Sequence, residues 1–209
     1  GPDEELEQGL ESLCALAESL REVGNVTDPP VDEVLAQLTS PPPGLTVLVE
    51  PSDNIGGGAP GDGTGLLRAL LRHGLSNAAV AINDPEAVSA LQSLNPGQKA
   101  TLRIGGKGSR LDPGPLELEV ELISKRSGRF ELEDKQSHLA SMCGDAFDMG
   151  DCAVVKHGGV TLLLTSVKTP PFDLGQWRSQ GIEPTAQTVD ELKKLNLPAI
   201  VSGVLSVQG

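Results

Sequence analysis

The residues with the most distinctive chemistry form an eleven-residue segment, Ser52 to Asp62, which reads SDNIGGGAPGD. Gly56, Gly58 and Gly61 have the spacing G-x-G-x-x-G, between an apolar run and a leucine-rich run. In dinucleotide-binding proteins this pattern follows a strand and opens a helix, where backbone amides hold a pyrophosphate. Phosphate binding is therefore the first chemistry to consider for this loop.

The residues beside the glycines argue against a phosphate. Asp62 stands at the expected N-terminus of the next helix, where its carboxylate would repel an anion. Pro60 lacks the N–H group that a phosphate cradle would use. A Walker loop requires a lysine directly after Gly61, and Asp62 occupies that position. Nucleotide binding therefore stays only as the weakest of three functional hypotheses.

Two other interpretations of the loop remain open. In the first, the Asp and Asn side chains only brace a tight turn whose glycines adopt positive φ, with Asp62 as a helix N-cap. In the second, polar side chains and glycine amides hold a ligand such as a peptide end. Lys107, on a glycine-rich turn, is either a partner for a ligand carboxylate or a free surface lysine. The candidate substrate-binding residues are Asp53, Asn54, Gly56, Gly57, Gly58, Asp62 and Lys107.

The segment from His138 to His157 gathers potential metal ligands. It contains two histidines, two cysteines and several aspartates, but neither C-x-x-C nor H-x-x-x-H. The aspartates at intervals of three fit a polar loop or helix edge better than a calcium loop, which needs acids at alternate positions. We therefore expect no metal site in this chain.

Nucleophilic and acid–base arrangements are also missing from the sequence. No G-x-S-x-G motif occurs, and the sequence around Cys143 and Cys152 gives no cue for a catalytic base. The alternating acids Glu117, Glu119 and Glu121 fit a solvated strand face, which we place on a hairpin that turns at residues 127–128. We expect no catalytic residue in this chain.

Charge and composition exclude several classes of protein. The net charge of −13 argues against nucleic acid and anionic membrane surfaces as partners. Residues 1–33 contain ten acids and one arginine, a net charge of −9, which leaves −4 for the rest of the chain. Three cysteines without a disulfide pattern, and no apparent signal peptide or membrane span, predict a cytoplasmic protein.

The elements of the first half alternate between helix and strand. Leucines at spacings of three and four predict a helix from Asp3 to Val23, and Asp28-Pro29-Pro30 opens a second short one. Residues 1–40 thus form an acidic helical segment. The compact domain is placed at 41–209, where strands at 45–49 and 78–82 alternate with helices at 64–73 and 84–91.

The second half is predicted to be rich in strands. Strands are expected at 100–104, 116–123 and 129–133, and residues 153–156 and 160–167 form a hairpin. A short helix carries Trp177, a last helix covers 189–195 and a last strand 199–207. The predicted fold class is therefore α+β: a βαβα half with a glycine-rich loop, then antiparallel hairpins, preceded by an N-terminal helical segment.

The loop and several later blocks resemble the C-terminal domain of the MlrC-like (microcystinase C) metallopeptidases. The loop matches with only Ile55 off the pattern, in the place of a proline. The further blocks follow in the same order, over about two thirds of the chain: Leu66–Leu71, Asp84–Val88, Leu102–Lys107, Gly158–Ser166, Pro171–Asp173 and Gly181–Pro184.

The resemblance implies a two-domain zinc peptidase acting on linearised peptides, with the zinc ligands and catalytic groups in an N-terminal domain. The chain begins Gly-Pro rather than Met, so we expect a piece of a longer protein in which residues 1–40 connect to that domain. The tail 186–209 departs from the family's ending, which puts peptidase function in doubt.

Two leading hypotheses follow. The chain is either the non-catalytic structural and substrate-recognition domain of such a peptidase, or a free-standing interaction module derived from it. The expected partners are the catalytic N-terminal domain or another protein, and a small peptide ligand, without a cofactor in this chain.

Overall fold

The computed structural model describes residues 2–24, 28–37, 45–171, 173–184 and 199–202. Contacts divide the chain into two compact units, Gly1–Val34 and Leu35–Gly209. The helices are α1 (Pro2–Ser19), α2 (Val31–Gln37), α3 (Gly65–Arg72), α4 (Pro85–Leu91), α5 (His138–Cys143) and α6 (Leu174–Ser179). The strands are β1 (Thr46–Val49), β2 (Ala78–Asn83), β3 (Lys99–Ile104), β4 (Leu116–Glu131), β5 (Ala146–His157), β6 (Val160–Thr165) and β7 (Ala199–Ser202).

The first unit consists mainly of α1. Three acids in its first turn favour the N-terminal end of the helix dipole, and α1 ends at Ser19, before the predicted end at Val23. The leucine side chains of this unit lie exposed, from 46% to 65% for Leu6, Leu10, Leu13, Leu16 and Leu20. Among the described residues, no helix has both the length and the apolar character needed to span a membrane.

The second unit is built on a mixed sheet with the strand order β1-β7-β2-β6-β5-β4-β3. The pairs β1–β7, β7–β2 and β2–β6 are parallel, and the pairs β6–β5, β5–β4 and β4–β3 are antiparallel. α3 buries its leucine face and α4 buries Ala87, Val88 and Leu91. This confirms the predicted α+β class, with the βαβα half followed by antiparallel strands.

β4 corrects one prediction. The prediction of a hairpin that turns at Ser127-Gly128 is wrong, because the chain continues as a single 16-residue strand paired with β5. The register shifts at Ile123 and at Gly128, as β-bulges do. A Cβ at Gly128 would lie 2.6 Å from the Gly150 oxygen, so this glycine permits close approach of β5 instead of a turn.

The Glu117, Glu119 and Glu121 row lies on β4 opposite β3, rather than on a hairpin that turns at residues 127–128. Glu117 and Glu119 are exposed, and the Lys99 Nζ lies 3.2 Å from the Glu119 carboxylate. The predicted solvated face is therefore confirmed for Glu117 and Glu119, whereas Glu121 is half-buried and the partner strand is different.

The β5–β6 hairpin agrees with the prediction, but β5 begins earlier, at Ala146. α6 places Trp177, 2% exposed, in a core cluster that also contains Phe130, Met149 and Leu163. The predicted last helix, 189–195, and residues 203–207 of the predicted last strand lie outside the described residues. The described part of that strand, β7, pairs with both β1 and β2.

The cysteines differ in accessibility, which leads to a first prediction. Cys14 and Cys143 are exposed and Cys152 is buried. Burial, with the charges of Asp148 and Asp151, raises the pKa of the Cys152 thiol from 9.0 to about 12. Because only the thiolate reacts, a thiol reagent at pH 8 should label Cys152 about 1,000-fold more slowly than an unperturbed thiol.

The measurement is time-resolved mass spectrometry of the labelled chain, with Cys152→Ser as the control that removes the slow site. Rapid labelling of three thiols in the native chain would contradict the burial of Cys152. Unfolding in urea should abolish the difference.

Candidate functional site

The glycine loop lies beyond the carboxyl end of β1, in the parallel half of the sheet. Two short 3₁₀ turns, Pro51–Asp53 and Ile55–Gly57, lead from β1 towards α3. In open sheets with parallel strands, ligands bind at the carboxyl ends of the strands. The fold therefore places the loop at an edge suited to binding, whatever the ligand is.

Asp53 holds the loop together from its first turn. Its Oδ1 accepts a hydrogen bond from the Gly61 amide at 2.8 Å, and its Oδ2 accepts one from the Gly63 amide at 2.6 Å. The side chain is half-buried, and both oxygens are engaged by backbone N–H groups eight and ten residues further on. Asp53 is therefore a brace across the whole loop.

Asn54 organises the glycines that follow it. Its Oδ1 accepts from the Gly56 amide at 2.9 Å, and its backbone oxygen accepts from the Gly57 amide at 2.9 Å. The Gly58 amide donates to the Ile55 oxygen at 3.0 Å. The three amides predicted to hold a ligand thus donate within the loop, whereas the three glycines themselves are exposed.

Asp62 corrects the predicted helix cap. The N-cap of α3 is Thr64, and Asp62 instead faces another turn of the chain. Its Oδ2 accepts from the Lys107 amide at 2.6 Å and the Gly108 amide at 2.7 Å. The residue is 5% exposed, and its Oδ1 has no hydrogen-bond partner among the described residues. Through these two hydrogen bonds, Asp62 connects the glycine loop to the turn that follows β3.

Asp84 joins that turn to α4. It is the N-cap of α4, where its Oδ1 accepts from the Ala87 amide at 3.0 Å. Its Oδ2 accepts from the Gly105 amide at 2.9 Å, and the Lys107 Nζ donates to Oδ1 at 2.9 Å. With a side chain only 1% exposed, this carboxylate is a buried connection between three parts of the chain.

Lys107 is ion-paired, so it is not a free surface lysine. Its ammonium also lies 3.0 Å from the Glu86 carboxylate, and 28% of its side chain is exposed. Burial lowers the pKa of Lys107, but hydrogen bonds and charges from Asp84 and Glu86 outweigh it and leave the pKa raised. Lys107 therefore stays positively charged, with one of its three N–H donors left beyond these two partners.

Asp112, which is not among the predicted site residues, belongs to the same network. Its carboxylate accepts from the Thr64 amide at 2.7 Å, the Thr64 hydroxyl at 2.8 Å and the Gly114 amide at 2.8 Å. The Arg68 guanidinium donates to the Gly114 oxygen at 2.7 Å. The Asp-Pro-Gly turn at 112–114 was the available signal, because such turns often position an Asp side chain on nearby amides.

The loop and its braces lie within a stretch of the chain that matches a known protein family. The profile of the family described as MlrC C-terminus matches residues 48–196, more than half of the chain. The chain belongs to the MlrC C-terminal family. Microcystinase C from Sphingomonas sp. is 27% identical over 139 residues, which cover 66% of this chain and 26% of that protein. The chain thus spans about a quarter of the length of this curated relative.

A solved structure supports the fold of the MlrC C-terminal domain. The crystal structure of a proposed metallopeptidase from Mesorhizobium sp. BNC1 superposes with a TM-score of 0.73 at 23% identity. The alignment covers 91% of this chain and 35% of that one. At 23% sequence identity, this structural similarity shows that the two proteins share a fold.

Zinc ligands do not assemble among the residues that the structure describes. Within residues 2–24, 28–37, 45–171, 173–184 and 199–202, no group of three or more His, Cys, Asp or Glu could hold a metal ion. His157 uses its Nδ1 in a contact of 2.7 Å with the Glu119 oxygen, and the His138 side chain lies outside what the structure describes. The described residues therefore do not fit a zinc ion.

Proposed function

We propose that this chain is the non-catalytic C-terminal domain of an MlrC-type zinc metallopeptidase, and that its glycine loop forms part of a peptide-binding surface. The observation that carries the proposal is the family match over residues 48–196, which includes the loop and all of its braces. The similarity to Microcystinase C supports the peptidase assignment. The zinc and its ligands would come from an N-terminal domain.

The candidate residues have two different roles in the proposed binding surface. Asp53, Asn54 and Asp62 hold the shape of the loop, because their oxygens accept its amides and those of the neighbouring turn. Gly56, Gly57 and Gly58 present an exposed surface without side chains, along which an extended peptide can lie closely. A rigid loop loses little conformational entropy when a ligand binds.

Lys107 adds a charge to this surface. Its remaining N–H donor can meet a carboxylate, such as the C-terminus of a linear peptide. Because Asp84 and Glu86 hold the ammonium in place, the contact would need little reordering of a flexible side chain.

The test uses the full 209-residue chain and a panel of linear peptides with free termini. We expect elemental analysis to find well below one zinc per chain, no hydrolysis by mass spectrometry, and measurable peptide binding by calorimetry. One tightly held zinc per chain, or peptide cleavage, would overturn the non-catalytic assignment.

Gly57→Gln is the variant that tests the loop surface. A Cβ at Gly57 would have its nearest contact at 3.6 Å, an ordinary van der Waals distance, so the fold should accept a side chain there. The added side chain should weaken peptide binding about 10-fold or more by covering the glycine surface. Gly9→Gln, at a position with nothing within 4 Å of a Cβ, is the matched control and should leave binding unchanged.

The exposed leucine face of α1 favours a second candidate, a protein-interaction module. Contiguous apolar surface on a helix is typical of protein contacts, and residues 1–33 carry a net charge of −9 that suits a basic partner. The absence of peptide binding by the full chain in the assay above would favour this candidate over the peptidase domain.

A further inference from the structure

A small cavity lies between the glycine loop and the carboxyl ends of β2 and β6. Its volume is about 30 Å³, and its polar lining includes Asp53, Asn83, Thr165 and Gln176. None of the described residues that line it is basic. A space of this size accommodates one or two small groups.

Gln176 is the residue that indicates a ligand. It lies in α6, is 1% exposed and lines the cavity. Its Nε2 donates to the Met149 sulfur at 3.2 Å, whereas its Oε1 has no hydrogen-bond partner among the described residues. Reversing the amide would turn the oxygen towards the sulfur and lose the only donor contact, so the observed orientation is the better one. A buried carbonyl oxygen without a donor is destabilising, and it therefore calls for a donor or a cation.

The other polar groups of the cavity are acceptors as well. The Thr165 hydroxyl donates to the Asn83 Oδ1 at 3.4 Å, which leaves the hydroxyl oxygen free to accept. Asp53 adds a negative charge, and each of its oxygens can accept a second hydrogen bond beside the loop amide that it already holds. The lining thus combines a carboxylate, a hydroxyl oxygen and an unpaired carbonyl.

We propose that this cavity binds a compact monovalent cation, for which a primary ammonium group is the best match. An ammonium group has three N–H donors and no acceptor, and Asp53, Thr165 and Gln176 supply three acceptor oxygens and the opposite charge. An alkali-metal ion carries the same charge as an ammonium group and also prefers oxygen ligands, so it is the alternative occupant of this cavity. This site is separate from the exposed glycine surface and does not depend on the proposed function.

The experiment compares salts of equal concentration by thermal unfolding of the full chain. The fluorescence of Trp177, the single tryptophan, reports unfolding. Methylammonium chloride at several times its Kd should raise Tm by about 2–4 °C relative to tetramethylammonium chloride, which has the same charge without N–H donors. Potassium chloride, in the same comparison, tests the alkali-metal source.

Two variants make the test specific. Gln176→Leu removes the unpaired oxygen and should abolish the difference in Tm between the salts. Gln180→Leu is the matched control, because Gln180 is also buried with an unpaired Oε1 but does not line this cavity. It should preserve the difference. If Gln176→Leu does not fold, Thr165→Val serves in its place.

A rise in Tm with potassium but not with methylammonium would keep the cation site and identify a metal ion as its occupant. Equal Tm values in all salts would overturn the proposal. So would a methylammonium effect that survives both Gln176→Leu and Thr165→Val.

Discussion

Asp84→Ala should lower the free energy of unfolding by about 3–5 kcal/mol, the range observed when one partner of a buried ion pair is removed. The carboxylate accepts from the Ala87 and Gly105 amides and from the Lys107 ammonium, and it is 1% exposed. The substitution leaves two amides without an acceptor, removes the N-cap of α4, and leaves the ammonium with Glu86 alone. Urea unfolding, followed through Trp177 fluorescence, measures the loss.

Glu86→Gln is the matched control for this prediction. Glu86 pairs with the same ammonium at 3.0 Å, but its side chain is 79% exposed. Solvent screens such a pair, so the loss should stay within about 0.5 kcal/mol. Similar losses for Asp84→Ala and Glu86→Gln would show that burial of the Asp84 carboxylate does not decide the stability of this region.

Local patterns predicted the parallel half of the fold well. The apolar strands at β1 and β2, the leucine face of α3 and the Asp-Pro start of α4 each depend on neighbouring residues, and each is present. The pairing of β7 between β1 and β2 could not be predicted, because a parallel pairing joins segments far apart in sequence.

β4 shows why a local turn signal failed. Ser127-Gly128 has the composition of a hairpin turn, and only the approach of Gly150 and Met149 on β5 shows why the glycine is needed. The sequence contains no information about this approach without the pairing of β4 with β5. The same limit applies to Asp62, whose partners lie 45 and 46 residues further along the chain.

The site was predicted in part by residue type. The polar residues of the loop were identified, but their role as braces depends on which amide each oxygen accepts. Asn83, Thr165 and Gln176 were not singled out, because isolated polar residues at the end of a strand or in a short helix carry no local signal. Their proximity arises only when β2, β6 and α6 come together.

Asp53→Asn should cost more than Asp62→Asn, although both replace a loop carboxylate by an amide of the same shape. Asp53 uses both oxygens, one for the Gly61 amide and one for the Gly63 amide. An asparagine keeps one oxygen and turns an NH₂ group towards the other N–H, so that two donors face each other. We expect a loss of about 2–3 kcal/mol, the cost of an unsatisfied donor in a partly buried site.

Asp62 accepts both of its amides on one oxygen. Asparagine can therefore place its carbonyl oxygen at the position of Oδ2 and its NH₂ at the position of Oδ1, which has no described partner. The loss should be below about 1 kcal/mol, because both hydrogen bonds remain and a buried charge is removed. Asp62→Ala, which leaves the Lys107 and Gly108 amides without an acceptor, should cost more than Asp62→Asn. Urea unfolding of the three variants measures the order, and equal losses for the two asparagine variants would contradict it.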